Sequence, residues 1–408
     1  MIALVLLAAL QQQPLVVSPT GPYRTVSAAV QAAAPGATIV VKAGHYREPT
    51  IVIARRVTLA GEPGAILDGE GKHEIIVLRA DGITIRGLEF TNTGFSYSED
   101  RAAVHVAAAH DCRLEDNRFI DTFFAIYIAA SRGCWVVGNE ITGRGDRDEA
   151  GSGNGIHLWS SREITVEHNH ISGHRDGIYL EFTHAADVHQ NLSEHNIRYG
   201  LHFMYSDSSS YVGNRFRANG SGVAVMYTRV VTMVSDTFEA NRGAAAYGLL
   251  LKEIQDARLE GNLFRDNTIG LLADGADRLV AHGNRFEDNG WALRLLASSF
   301  DGRFEGNAFR RNSFDVAVNG RGTSATFERN WWESYHGWDL DHNGVGDVPY
   351  HPVRLFALLV ERTPPALLLQ RSLFVRLLDA AERALPVLTP ANVVDGQPLM
   401  SDPTGASR

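Results

Sequence analysis

The chain has 408 residues, 44% of them hydrophobic and 21% charged, with a formal net charge of −9. That is enough apolar sequence for a large core, and the balance is too acidic for a nucleic-acid partner, with no basic aromatic patch to offset it. No stretch beyond the first ten residues offers ~20 uninterrupted apolar residues, so no membrane-crossing helix is expected.

Residues 2–10 (IALVLLAAL), followed by three glutamines, resemble the apolar region of a secretory signal, and residues 1–13 are assigned to a signal peptide and hence to export. Thr25 to Ala34 (TVSAAVQAAA) reads as a short amphipathic helix stopped by Pro35-Gly36. A helix there covers the open end of the strands that come after it.

The greater part of the chain is a repeat. Asn117, Asn139, Asn169, Asn191, Asn214, Asn262, Asn284, Asn307 and Asn330 stand mostly 22 or 23 residues apart, with Asp236 in line between Asn214 and Asn262. A second asparagine column runs five residues later from Asn196 to Asn312, and a mostly large apolar column runs two residues after the first, from Phe119 to Trp332. The two longer intervals mark surface insertions, one of them the polar stretch 144–153. A period in this range means a solenoid, because one repeat cannot bury its own apolar face. Each repeat holds about three short alternating runs, so its elements are strands. The expectation is an all-β fold: a right-handed parallel β-helix over residues 20–338 with an N-terminal capping helix and a C-terminal helical tail. The asparagines read as structural, hydrogen-bonding along the ladder and tolerating left-handed turns. Cys112 and Cys134, one period apart, fall at core positions on neighbouring rungs, as two small core residues or, in an oxidising compartment, as a disulfide.

Counting two residues past the aligned glycines gives an outward column, His157, Tyr179, His202, Ala224 and Leu250; two further gives Trp159, Glu181, Met204, Met226 and Lys252. Met204 and Met226 become rung neighbours with His202 beside them. Thioether plus imidazole is a soft ligand set that suits Cu(I), so His202, Met204 and Met226 are copper candidates, flanked by His157, Trp159, Tyr179 and Glu181. The competing reading is an adaptable apolar patch for docking another protein. Met233 has core parity, and His168, His170, His174, His184 and His195 fall mostly at turns.

Residues 339–352 contain DLDHNGVGD, in which Asp339, Asp341, Asn343 and Asp347 resemble the first half of a calcium loop that lacks its closing glutamate, pointing to a structural Ca²⁺. Residues 353–408 form an apolar, basic tail. A helix is expected from Ala366 to Leu385 after Pro364-Pro365, with Leu367, Leu368, Phe374, Leu377 and Leu378 as docking candidates; such a helix either caps the last coil or meets a partner.

Taken together, the stretch LHFMYSDSSSYVGNRF, the VAVMY strand, the DLDHNGVGDVPY loop and the LLLQRSLFVRLLDAAERALPVLTP tail resemble the NosD family over about residues 20–400. That resemblance implies a periplasmic β-helix with no enzymatic activity of its own, working with an ABC permease and its ATPase. It implies receipt of Cu(I) from a small copper chaperone lipoprotein, assembly of the copper centres of nitrous oxide reductase, and membrane association only through the permease, on which the tail docks. It does not designate copper ligands; His202, Met204 and Met226 come from the column count alone. The alternatives are a purely structural adaptor and a carbohydrate-active or carbohydrate-binding β-helix of lyase or epimerase type. The last needs clustered carboxylates, or an Arg or Lys base, on an open strand face, where this face offers only Glu181 among hydrophobes with no paired Asp near it.

Overall fold

In the computed structural model, residues 13–145, 149–319, 324–370, 372–384 and 393–405 are described. Most of the expected signal peptide lies outside them, as do the middle of the 144–153 insertion and the end of the expected tail helix. The chain winds into a parallel β-helix: strands join a 25-stranded and a 13-stranded sheet, and each regular coil contributes three short strands, as in Phe124–Ala129, Trp135–Val137 and Glu140–Thr142. Every ladder between these strands is parallel, one repeat pairing with the next.

Apolar columns stack inside. Phe216, Phe238, Phe264, Phe286, Phe309 and Trp332 lie ring on ring at centroid distances of 4.1–5.7 Å. Cys112 and Cys134 are buried thiols on neighbouring rungs of the same core. The asparagine columns form ladders: Asn117 N and Nδ2 donate to Asn139 Oδ1 at 3.0 and 3.1 Å, and the pattern repeats coil after coil. Each amide thereby satisfies turn groups that would otherwise be buried without partners. The left-handed backbone, however, belongs to the residue before each asparagine, such as Asp116 (φ 52°), His168 (φ 54°) and Gln190 (φ 55°). The asparagine side chain must point into the coil to reach its neighbours, so the tight bend is made one residue earlier.

Both ends are covered. Helix α1 (Val26–Ala32) buries Val26, Ala29 and Val30 over the first coil. Its free N–H groups are met by Thr25 Oγ1, which accepts from Ala28, and by Glu48, which accepts from Val26 and Ser27. At the far end the asparagine ladder stops on Asp395: its Oδ2 accepts from Asn330 N, Asn330 Nδ2 and Trp332 Nε1 at 3.0–3.1 Å. The last stretch of the chain thus forms part of the cap.

The tail differs from the single helix expected. An unanticipated helix α2 (Leu355–Arg362) comes first, burying Phe356, Ala357 and Val360 against Phe314 and Trp291 on the outside of the last coils. Pro364-Pro365 then start a 3₁₀ turn, Pro364–Leu369, and α3 runs from Leu373 to Ala384. The chain breaks because Ser372 Oγ accepts from Val375 N at 3.4 Å and starts a new helix rather than extending the old one. Glu382 Oε1 accepts from Leu355 N at 2.8 Å, tying α3 to the N-terminus of α2.

Candidate metal centre

Four strands carry the face: Ile156–Trp159, Asp176–Glu181, Tyr199–Met204 and Ser221–Met226. Their glycines are required by close packing, since a Cβ on Gly177 would stand 2.0 Å from Ser193 Oγ. The register matches the column count: His157 pairs with Tyr179 and Tyr179 with His202, while Glu181 pairs with Met204 and Met204 with Met226. Met204 and Met226 are half-buried, and Trp159 is exposed. Tyr179 Oη donates to Met204 Sδ at 3.8 Å. Met226 packs against an outer apolar cluster of Ala224, Tyr247, Leu250 and Ile269.

His157 and His202 have the outward parity expected, yet each is only 6% exposed, because tyrosine rings pack against them at tilted angles. His157 lies 4.8 Å from both Tyr127 and Tyr179; His202 lies 4.9 Å from both Tyr179 and Tyr199. None of the four ring nitrogens makes a hydrogen bond. Burial pushes His157 down to about 3, so it is neutral at any working pH. A buried neutral imidazole with open nitrogens is a desolvated lone pair, costly unless something comes to meet it.

Asp176, which lies on no column that the glycine count picks out, stands behind His202. It is fully buried and gripped by Arg198, whose Nε and Nη2 reach its two oxygens at 2.9 and 2.5 Å. His202 Nδ1 lies 3.5 Å from Asp176 Oδ2. Burial pushes the Asp176 carboxyl up, but the His202 and Arg198 side chains outweigh it and hold the carboxyl below the usual range. A carboxylate on the Nδ1 side favours the tautomer that leaves Nε2 as the lone pair, the arrangement found behind metal-binding histidines.

Beside the methionines runs a second outer stack, Phe182, Tyr205 and Tyr227, at 5.2–5.3 Å. All three are exposed and left-handed, with φ between 50° and 53°. The same position is Ala108, Ala130 and Ser160 on earlier rungs, so the turn itself needs no bulk. Placing aromatic rings in this strained region costs roughly 1–2 kcal/mol each, and it occurs on the rungs of Glu181, Met204 and Met226.

Among the described residues no three His, Cys, Asp or Glu side chains converge to hold a metal. What the face offers is imidazole and thioether, a donor set that fits Cu(I) and is poor for hard cations. In the 339–352 loop the oxygens are turned onto the chain itself: Asp339 accepts from Asn343 N and Gly344 N, and Asp347 accepts from Leu340 N. In the tail, Leu368 is 90% and Leu377 61% exposed, and Leu367 and Phe374 are exposed too, whereas Leu378 packs against the cluster that holds α2 to the solenoid. No helix among the described residues is long and apolar enough to cross a membrane.

Residues 138–337 match the family model described as "Periplasmic copper-binding protein (NosD)". Two curated relatives carry the name "Probable ABC transporter binding protein NosD". That of Pseudomonas aeruginosa is 32% identical over 90% of this chain and 89% of its own; that of Stutzerimonas stutzeri is 29% identical over 89% and 86%. Among solved structures, the A-module of the Azotobacter vinelandii mannuronan C-5 epimerase AlgE6 superposes with a TM-score of 0.61, covering 76% of this chain and 95% of its own. At 15% identity that likeness concerns the fold alone.

Proposed function

Since the chain belongs to the NosD family, we propose that it is a periplasmic accessory protein that binds Cu(I) transiently on the His202, Met204 and Met226 face. In this reading it brings an ABC permease and its ATPase together with a copper chaperone lipoprotein and the client, nitrous oxide reductase, and catalyses no reaction itself. The observation that carries the reading is the pairing of His202, buried with Nε2 unpartnered and Nδ1 facing Asp176, with a methionine–methionine rung pair. Soft, neutral ligands hold Cu(I) while leaving the cation's charge uncompensated, which suits a cargo that must be passed on. Tyr179 fixes the Met204 sulfur and Asp176 orients His202, while the exposed Phe182, Tyr205 and Tyr227 stack gives the donor protein a surface beside the sulfurs.

An anaerobic Cu(I) titration against a competing chelator tests this. The full chain is expected to bind Cu(I), and the His202→Ala, Met204→Ala, Met226→Ala variant to lose that equivalent. Unchanged binding by the variant sinks the assignment.

Leu367, Leu368, Phe374 and Leu377 supply the tail's apolar surface for the permease, with Leu378 anchoring it from behind. Replacing Leu368 and Leu377 with glutamate is expected to abolish co-purification with the transporter and leave the copper titration unchanged. Retained co-purification would assign the docking elsewhere. For the 339–352 loop, a structural Ca²⁺ held by Asp339, Asp341, Asn343 and Asp347 requires these oxygens to turn from the backbone to the ion. Added Ca²⁺ should then raise the melting temperature and Asp341→Ala should remove the effect; a melting temperature indifferent to Ca²⁺ excludes the site.

A further inference from the structure

The outward column does not begin at His157. In register before it stand His105 and Tyr127, giving an alternating series His105, Tyr127, His157, Tyr179, His202 whose successive rings are 4.8–4.9 Å apart. His105 and His202 are four rungs apart, roughly 19 Å at the ~4.8 Å spacing of neighbouring strands. At the His105 end the column opens into a cleft of about 550 Å³, lined among others by His73, Glu74, Asp100, Arg101, His105 and Tyr127.

One residue orients both imidazoles there. His105 Nδ1 lies 3.0 Å from Glu74 Oε1, and His73 Nδ1 lies 2.8 Å from the Glu74 backbone carbonyl. A carbonyl oxygen only accepts, and so does an ionised carboxylate, so in both neutral rings Nδ1 carries the proton and Nε2 is left as the lone pair. The Glu74 carbonyl is itself held, accepting from Thr50 Oγ1 at 2.9 Å. The Glu74–His105 pair at this end repeats the placing of Asp176 behind His202 at the other.

We propose that this cleft is a second copper-binding station, with His73 and His105 as its ligands through Nε2 and Glu74 as the residue that positions both. Both imidazoles line the same cleft with Nε2 free of the Glu74 contacts, and imidazole suits copper whether or not sulfur is present. The inference concerns a site separate from the methionine face and does not depend on that face holding copper.

The test is Cu(I) stoichiometry of the full chain, measured anaerobically against a chelator. Wild type is expected to take two equivalents. His73→Ala, His105→Ala should take one, and a cooperative urea-unfolding transition shows that the variant still folds although His105 leaves the ring column. Glu74→Gln keeps the side-chain volume and should weaken the cleft equivalent about 10–100-fold while sparing the other. Copper bound by the His202→Ala, Met204→Ala, Met226→Ala variant should show only nitrogen or oxygen neighbours in X-ray absorption. A histidine double variant that keeps wild-type stoichiometry, or a sulfur shell in the triple variant, overturns the second station. If copper is lost from the histidine double variant alone and not from the triple variant, the cleft stands and the methionine-face reading falls.

Discussion

At pH 8, Asp236→Asn is expected to raise the unfolding free energy by about 4 kcal/mol, and below pH 4 to change it little. Asp236 occupies a place in the asparagine ladder that every neighbour fills with an amide. Its Oδ1 accepts from Asn214 N and Nδ2 at 2.7 and 3.0 Å, as an asparagine oxygen would, but its Oδ2 has no partner. On the next rung Asn262 Nδ2 donates to Met233 O at 3.0 Å and to Asn284 Oδ1 at 2.9 Å. An ionised carboxylate has nothing to donate at the matching place. Burial therefore pushes the Asp236 carboxyl up from 3.8 to about 7, against the hydrogen bonds from Asn214. Below 3.8 folded and unfolded chains both hold the proton. Between 3.8 and about 7 the unfolded chain releases it first, so stability falls as pH rises, and above 7 the loss is complete. The asparagine variant has no proton to lose. Urea unfolding of both proteins from pH 4 to pH 8 reads this directly; a difference that does not grow with pH contradicts it.

The other large effect belongs to Arg198. Replacing it with methionine strips Asp176 of its bidentate partner and leaves a fully buried carboxylate. Breaking one half of such a pair costs ~3–5 kcal/mol, whereas removing both charges together is far milder. Arg198→Met should therefore be strongly destabilised in urea at pH 7, and Asp176→Asn, Arg198→Met should recover most of the loss. The strong non-additivity expected of contacting residues is the signature. Asp176→Asn alone should also weaken copper at His202 by about 10–100-fold without changing the ligands. Additive losses in the double variant would mean the two side chains act separately.

The fold was legible because its period is written in asparagine and phenylalanine. Those residues recur where a coil turns or fills, so counting them placed the rungs, and the aligned glycines within the rungs then placed Met204 beside Met226. Counting from glycines was less complete. At Ala103 and Ala125 the small residue is alanine, so a count tied to glycine starts at His157 rather than His105. Parity along a strand also says which way a side chain leaves the sheet, not what lies over it. His202 points outward and is still buried, because Tyr179 on the rung before and Tyr199 on its own strand close over it. Asp176 was invisible for a related reason: its partner Arg198 lies 22 residues on, and only the winding of the coil brings them together. The tail misled because its apolar residues fit one helix as well as two; Ser372 and the apolar patch on the last coils decide the break.

The most direct measurement of the central claim is the copper K-edge X-ray absorption spectrum of the full chain loaded with Cu(I), in the His73→Ala, His105→Ala background so that only the methionine face can bind. Sulfur neighbours together with nitrogen, with the sulfur lost on Met204→Leu, Met226→Leu, are the predicted result. Copper surrounded by nitrogen and oxygen alone, or a sulfur shell that survives loss of both methionines, would contradict it.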